Sequence, residues 1–176
     1  MWVGRVLITA DTKEWALTSA KAATGFATSI IMSPAEAGIE RTTSPEETPD
    51  GRQGTIIQIY HARGHSLKDQ MAKRLSQCVL TCPTTAAFDA MGEHGRKKLQ
   101  IGRMLSLFGD GFQKKDVVYG RDVWRIPVTE GEFIVEDKFG VRRGVAGGNL
   151  IIMAEDQTSG LASAQEAVKS GDESER

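Results

Sequence analysis

The stretch VLITADTKEWALTSAKAATG at positions 6–25 carries the reading from which the fold follows. A short apolar run, Val6 to Thr9, precedes Asp11, and Glu14 stands three residues further on, the spacing at which a cap and a first-turn carboxylate satisfy orphan amides reciprocally. A strand therefore feeds a helix. The helix is expected to reach about Thr24, with Gly25 taking a left-handed cap, and the alanines at 16, 20 and 23 give it a small-residue face suited to close packing on a sheet.

Working outward, residues 27–32 and 55–60 read as the second and third strands, because both are rich in Ile and flanked by turn formers. Between them, residues 33–54 form a long polar loop with Pro34, Pro45 and Pro49 beside Glu36, Glu40, Glu46, Glu47 and Asp50. A loop of that length in a compact domain is functional or disordered, which makes it the first place to look for a site. Leu67, Met71, Leu75 and Val79 recur every fourth residue and predict a helix over 66–79, which Pro83 brings to an end. Residues 92–100 read as a charged, exposed connection. Short strands are expected at 101–108, 117–119, 122–127, 132–136 and 140–145, separated by glycines that suggest hairpins. A nearly continuous apolar strand at 149–153 and a helix at 158–170 follow, then a frayed tail.

Strand, helix, strand, strand, helix and further strands is the order of an α+β fold: a ferredoxin-like split βαβ sandwich with additional β-hairpins. Residues 1–170 read as one domain and 171–176 as a disordered tail. A dinucleotide-binding fold is disfavoured, since the glycines of 144–149 precede a predicted strand instead of a helix. In the 176-residue chain 22 basic residues nearly balance 23 acidic ones, and the net charge of −1 gives no reason to expect nucleic acid or an anionic membrane as partner. The apolar runs are too short to span a bilayer and residues 1–5 lack the layout of a signal peptide, so a cytoplasmic location is expected. Cys78 and Cys82 lack further ligands at metal-site spacing and read as free packing thiols.

No phosphate loop, nucleophile elbow or metalloprotease helix is present, and His61, His65 and His94 have no triad spacing. What remains is a set of carboxylates in glycine-bounded turns, including Glu36, Asp50, Asp110, Glu130 and Glu132. Such groups serve as bases or hold ring N–H groups, and equally serve as ordinary turn formers. Thr81, Thr84 and Thr85 around Pro83 offer hydroxyls where a helix stops, with a capped turn as the plainer explanation.

Six blocks carry a resemblance: RVLITADTKEWA (5–16), TGFATSIIMSPAEAGIERTTSPEETPDGRQG (24–54), QCVLTCPTTAAFDAMGE (77–93), FGDGFQKK (108–115), IPVTEGEFIVEDKFGVRRGVAGGN (126–149) and SGLASAQEAV (159–168). In order and spacing they resemble formylmethanofuran:tetrahydromethanopterin formyltransferases, over nearly the whole chain. The resemblance implies a subunit of two lobes, each an α/β sandwich of ferredoxin-like type, in a homo-oligomer, typically a tetramer. It implies reversible transfer of a formyl group between formylmethanofuran and N5 of tetrahydromethanopterin, both as substrates, in one-carbon metabolism of the methanogenic kind, with no bound cofactor or metal. The bacterial counterpart works with a formaldehyde-oxidation complex.

Formyl transfer needs an amine aimed at an amide carbonyl, donors for the developing oxyanion, and an acid or base for one proton. Glu36, Glu40 and Asp50 are therefore expected to contact the pterin or the furfurylamine, and Thr84, Thr85 and Asn149 to supply hydrogen bonds. No catalytic residue is assigned. By the resemblance, this sequence holds the proximal, N-terminal lobe and part of the connecting region, the family's N-terminal segment is missing or replaced by residues 1–4, and a second lobe with the glutamate proposed as base lies beyond it. Two readings follow: an active subunit completed by a separate second-lobe chain or by self-association, and a non-catalytic carrier-binding or assembly module.

Overall fold

The computed structural model describes residues 1–29, 31–129, 131–148 and 150–174, the side chains of 171–174 aside. Its elements are β1 (Trp2–Ala10), α1 (Lys13–Thr24), β2 (Glu36–Thr43), β3 (Gln53–His61), α2 (Gly64–Arg74), β4 (Ala86–Asp89), β5 (Lys97–Gln100), α3 (Gly102–Ser106), β6 (Lys114–Val118), β7 (Arg121–Val128), β8 (Gly131–Glu136), β9 (Lys138–Arg143) and α4 (Gln157–Ser174). Two units are described separately, residues 1–146 and 147–176.

In the first unit β2, β3, β1 and β4 lie side by side in that order and are antiparallel throughout, which with α1 and α2 is the expected split βαβ arrangement. β1 is long enough to carry two partners along one side: β4 pairs with Val6–Thr9 and β9 with Trp2–Gly4. β4 then pairs in parallel with β8, which continues through β7 to β6, while β5 adds to β9. The strands expected at 117–119, 122–127, 132–136 and 140–145 fall on β6, β7, β8 and β9, whereas β5 lies in 92–100, read from the sequence as an exposed connection.

The main core lies between sheet and helices. Ala16, Ala20 and Ala23 of α1 are fully buried, as are Leu67, Met71, Leu75 and Val79, so both predicted faces are the packed ones. At roughly 1.5–3 kcal/mol for each large apolar side chain, the four-residue stripe alone contributes on the order of 6–12 kcal/mol before entropy is charged against it. α2 passes into a π-helical turn at Leu75–Val79, closed by Leu80 N–H on the Leu75 carbonyl at 2.8 Å.

Several boundaries depart from the sequence reading. Thr12, not Asp11, caps α1, accepting from Trp15 N at 3.2 Å. Gly25 has an ordinary φ of −61° and Phe26 takes the positive φ, because the Arg74 guanidinium donates to the carbonyls of Ala23 and Gly25 and so satisfies the helix end that a glycine cap would otherwise close. Among the described residues of 27–32 there is no strand, and Ile31 and Met32 are 87% and 82% exposed. The second strand instead occupies the segment read as a polar loop. Residues 101–108 hold α3, not a strand, and the described part of 149–153 forms no strand. In the second unit Asp156 accepts from Ser159 N at 2.9 Å at the start of α4, and the helix runs to Ser174, past its expected end near residue 170. Among the described residues no helix is long and apolar enough to cross a membrane.

Candidate functional site

Parallel pairing of β4 with β8, through Ala86↔Ile134 and Ala87↔Val135, brings the segments that enter these strands to the same end of the sheet. One is the turn after the π-helical segment, residues 80–85; the other is the β7–β8 connection. Between them lies a hollow of about 550 Å³ whose wall is apolar at Leu80, Pro83, Val128 and Phe133 and polar at Thr81, Thr84, Thr129 and Glu132. An apolar wall with a few convergent polar groups suits a flat heterocycle with polar edges.

Thr84 is held at φ +63°, a left-handed conformation that costs a β-branched residue on the order of 1–3 kcal/mol and persists only where neighbours over-determine it. Those neighbours are visible. The Arg52 guanidinium donates to the Thr84 carbonyl, to Asp11 Oδ1 at 3.0 Å, to Thr9 Oγ1 at 3.2 Å and, through Nε, to Asp50 Oδ2 at 2.9 Å. Thr84 Oγ1 accepts from Asp11 N at 3.2 Å, and Thr9 Oγ1 donates to Asp50 Oδ2 at 2.6 Å. The Asp50 side chain is only 3% exposed, so its charge rests on this network. Arg52 thus ties the end of β1, the β2–β3 hairpin and the Thr84 turn into one constellation beside the hollow.

Thr85 is buried, and its hydroxyl donates to the carbonyls of Val79 at 2.6 Å and Cys82 at 3.0 Å, closing the helix end that shapes the turn. Burial pushes the Cys82 thiol up, with the nearby Ser19 hydroxyl pulling the other way. Cys78 and Cys82 are both free.

Glu36 and Glu40 belong to a different place. Glu36 opposes Tyr60 at the far end of β3, seven residues from Gln53, which at about 3.3 Å per residue is roughly 23 Å from the Asp50 end. Glu40 sits in the β2 bulge between Ile39 and Arg41, paired with Arg5 and accepting from Gln58 Nε2 at 2.7 Å, while Tyr60 donates to Gln58. Burial is the largest single influence on Glu40 and acts to raise its pKa, but hydrogen bonds from Arg5 and Gln58 and the charges of Arg5 and Arg41 together hold the carboxyl below its usual range. Burial likewise raises Tyr60, with Glu40 adding to it. The sequence-derived residues therefore divide into Asp50, Thr84 and Thr85 at one end and Glu36 and Glu40 towards the other; Asn149 lies outside the described residues. Arg52 and Asp11 were missed in this role. The signal for Arg52 was its place two residues after Asp50 in the same turn.

A family model described as formylmethanofuran-tetrahydromethanopterin formyltransferase matches residues 1–128, and a second, described as the proximal lobe of that enzyme, matches 131–176. The chain belongs to this formyltransferase family. The boundary between the two matches falls in the β7–β8 turn, inside the sheet. A formyltransferase from Methanocaldococcus jannaschii is 58% identical over 168 residues, covering 96% of this chain and 56% of the relative; one from Methylobacillus flagellatus is 47% identical, covering 93% and 55%. The solved formyltransferase of Methanosarcina barkeri superposes with a TM-score of 0.90 at 48% identity, over 96% of this chain and 56% of that one. The formyltransferase/hydrolase complex of Methylorubrum extorquens, solved with methylofuran, gives 0.88 at 42%. The chain spans a little over half the length of these formyltransferases.

Proposed function

We propose that this chain is the part of a formyltransferase that takes up C1 carriers, moving a formyl group between formylmethanofuran and N5 of tetrahydromethanopterin. The observation that carries this reading is the 58% identity with the Methanocaldococcus jannaschii relative over nearly the whole chain. In the reaction the amine nitrogen N5 attacks the formyl carbon, the carbonyl oxygen becomes an oxyanion, and the bond from that carbon to the furfurylamine nitrogen breaks. The proton lost from N5 ends on the departing amine.

In this reading the hollow beside Thr84 receives the ring system of one carrier. Thr84 offers hydrogen bonds to it. The Thr85 hydroxyl and the Asp50 carboxylate, already committed to protein partners, hold the turn that shapes the hollow. Asn149, outside the described residues, is proposed to contact a carrier, with no place at this hollow assigned to it. Glu36 and Glu40 lie roughly 23 Å of strand away at the furthest, so they serve the other carrier or a distal part of the same one. The working assembly is an oligomer, or a pairing with a chain that supplies the remaining length of the relatives; the Methylorubrum neighbour was solved as a formyltransferase/hydrolase complex.

A second reading is a carrier-binding or assembly module without turnover. Formyl transfer followed spectrophotometrically separates the two, using the 176-residue chain alone and mixed with a polypeptide supplying the rest of the relatives' length. Turnover in either sample is the expected result. Carrier binding without turnover in both establishes the module, and failure of both binding and turnover rejects carrier chemistry altogether.

A further inference from the structure

The charge of −1 conceals a strong local imbalance. Between Glu93 and Asp110 the sequence has no carboxylate and carries Arg96, Lys97, Lys98 and Arg103; between Asp137 and Glu155 it again has none and carries Lys138, Arg142 and Arg143. The fold brings these two segments together. β5 and β9 pair antiparallel, with Lys97 opposite Val141, Lys98 opposite Gly140 and Gln100 opposite Lys138, so positive side chains that are distant in sequence share one strand pair, a ribbon that joins the sheet through β1.

Against this ribbon α2 contributes Lys68. The result is a second hollow, about 370 Å³, lined by Lys68, Lys98, Leu99, Gln100 and Lys138. The nearby carboxylates leave it cationic. Asp89 meets Lys98 at 3.7 Å and also accepts from Met91 N; Asp137 accepts from Lys115 Nζ at 3.1 Å and Trp124 Nε1 at 2.8 Å; Asp69 faces His65 at 3.4 Å. Among the described residues Lys68 and Lys138 form no salt bridge. Lys97 and Arg143 lie over the Trp2 ring at 5.1 and 4.7 Å, which keeps two more cations fixed next to the ribbon without consuming their charge.

Three ammonium groups from three elements around one concavity repel one another, and a bound anion relieves that repulsion. Gln100 adds an amide able to donate to an anionic oxygen. At about 370 Å³ the hollow matches a small molecule in size. We propose that this hollow is a binding site for a small polyanion, a molecule bearing two or more phosphate or carboxylate groups. The site is separate from the Thr84 hollow and stands independently of the formyl-transfer reading.

The test is calorimetric titration of the 176-residue chain at low ionic strength with pyrophosphate in one arm and citrate in the other, against sodium chloride matched for ionic strength. The Lys68→Ala/Lys138→Ala double variant leaves the Lys98–Asp89 pair intact, and Lys13→Ala/Lys21→Ala removes the same charge from α1. Saturable binding of pyrophosphate, citrate or both is expected, weakened at least about tenfold in the first variant and changed less than about twofold in the second. Pyrophosphate alone assigns a phosphate ligand, citrate alone a polycarboxylate, and both the shared chemistry. Heats no larger than those of sodium chloride, or equal weakening in the two variants, overturn the proposal; unchanged melting temperatures exclude a folding defect.

Discussion

Arg52 shows how one side chain sets the geometry of a site. It meets Asp50, Asp11, Thr9 and Thr84, and removing it strands a nearly fully buried carboxylate. Arg52→Ala is expected to lower stability by about 2–4 kcal/mol in urea unfolding, and adding Asp50→Asn should return a good part of that loss; an unchanged midpoint for the single variant removes the hub. Thr84→Gly gives up a hydrogen bond but relieves a left-handed β-branched residue, so stability should move by less than about 1 kcal/mol while carrier binding weakens. Glu40 carries a pH signature. Its folded pKa is lowered from 4.5, so its contribution is fully present above that value and is lost as pH falls through the lower folded one. The stability gap between the wild type and Glu40→Gln should hold from pH 7 to 5 and close only in acid; a gap that narrows between pH 7 and 6 contradicts the assignment. The turns that hold Asp50 and Thr84 were readable because Pro49, Gly51 and Pro83 announce them locally. Arg52 was not: its neighbour Asp50 hints locally at one ion pair, but Thr9, Asp11 and Thr84 lie 32 to 43 residues away, and nothing local encodes their meeting.

The elements were legible where burial imposes a period. The alanine face of α1 and the four-residue stripe of α2 and its π-helical continuation declare themselves because both pack fully. β2 did not, since as an edge strand with Glu36, Glu40 and Arg41 it lacks the apolar alternation of a buried strand, while Ile31 and Met32 before it are exposed. α3 was hidden differently. Ile101, Met104 and Leu105 have helical spacing, with Ile101 and Leu105 fully buried, but the density of apolar residues read as a strand. Its position is enforced at Gly102, whose N–H donates to the Asp137 carbonyl at 3.1 Å and whose Cβ, if present, would lie 2.5 Å from the Glu136 carbonyl oxygen. That neighbour is backbone and cannot swing aside. Gly102→Ala should therefore cost roughly 2–3 kcal/mol by overpacking, read as a drop in the unfolding midpoint, and a neutral substitution would show that α3 is free to shift.

At the scale of the whole molecule, the same chemistry that builds the core is left uncovered in the second unit. Leu150, Ile151 and Met153 are 91%, 85% and 90% exposed, and Leu161 and Val168 of α4 are exposed too. Contiguous apolar surface of this kind favours association. Burying three such side chains yields roughly 5–9 kcal/mol, comparable to the ~4–15 kcal/mol that association costs in lost freedom, so the contact should be weak and concentration-dependent, not permanent. Sedimentation across a wide concentration range is expected to show reversible self-association, and Leu150→Asp/Met153→Asp to suppress it without lowering the melting temperature of the sheet. A chain that stays monomeric at the highest concentration, or a charged double variant that associates as before, would mean that the apolar segment contributes nothing to assembly. The polyanion hollow and the Thr84 hollow lie in the first unit and should bind their ligands equally well in the dissociated variant, so that assembly and ligand binding can be measured one at a time.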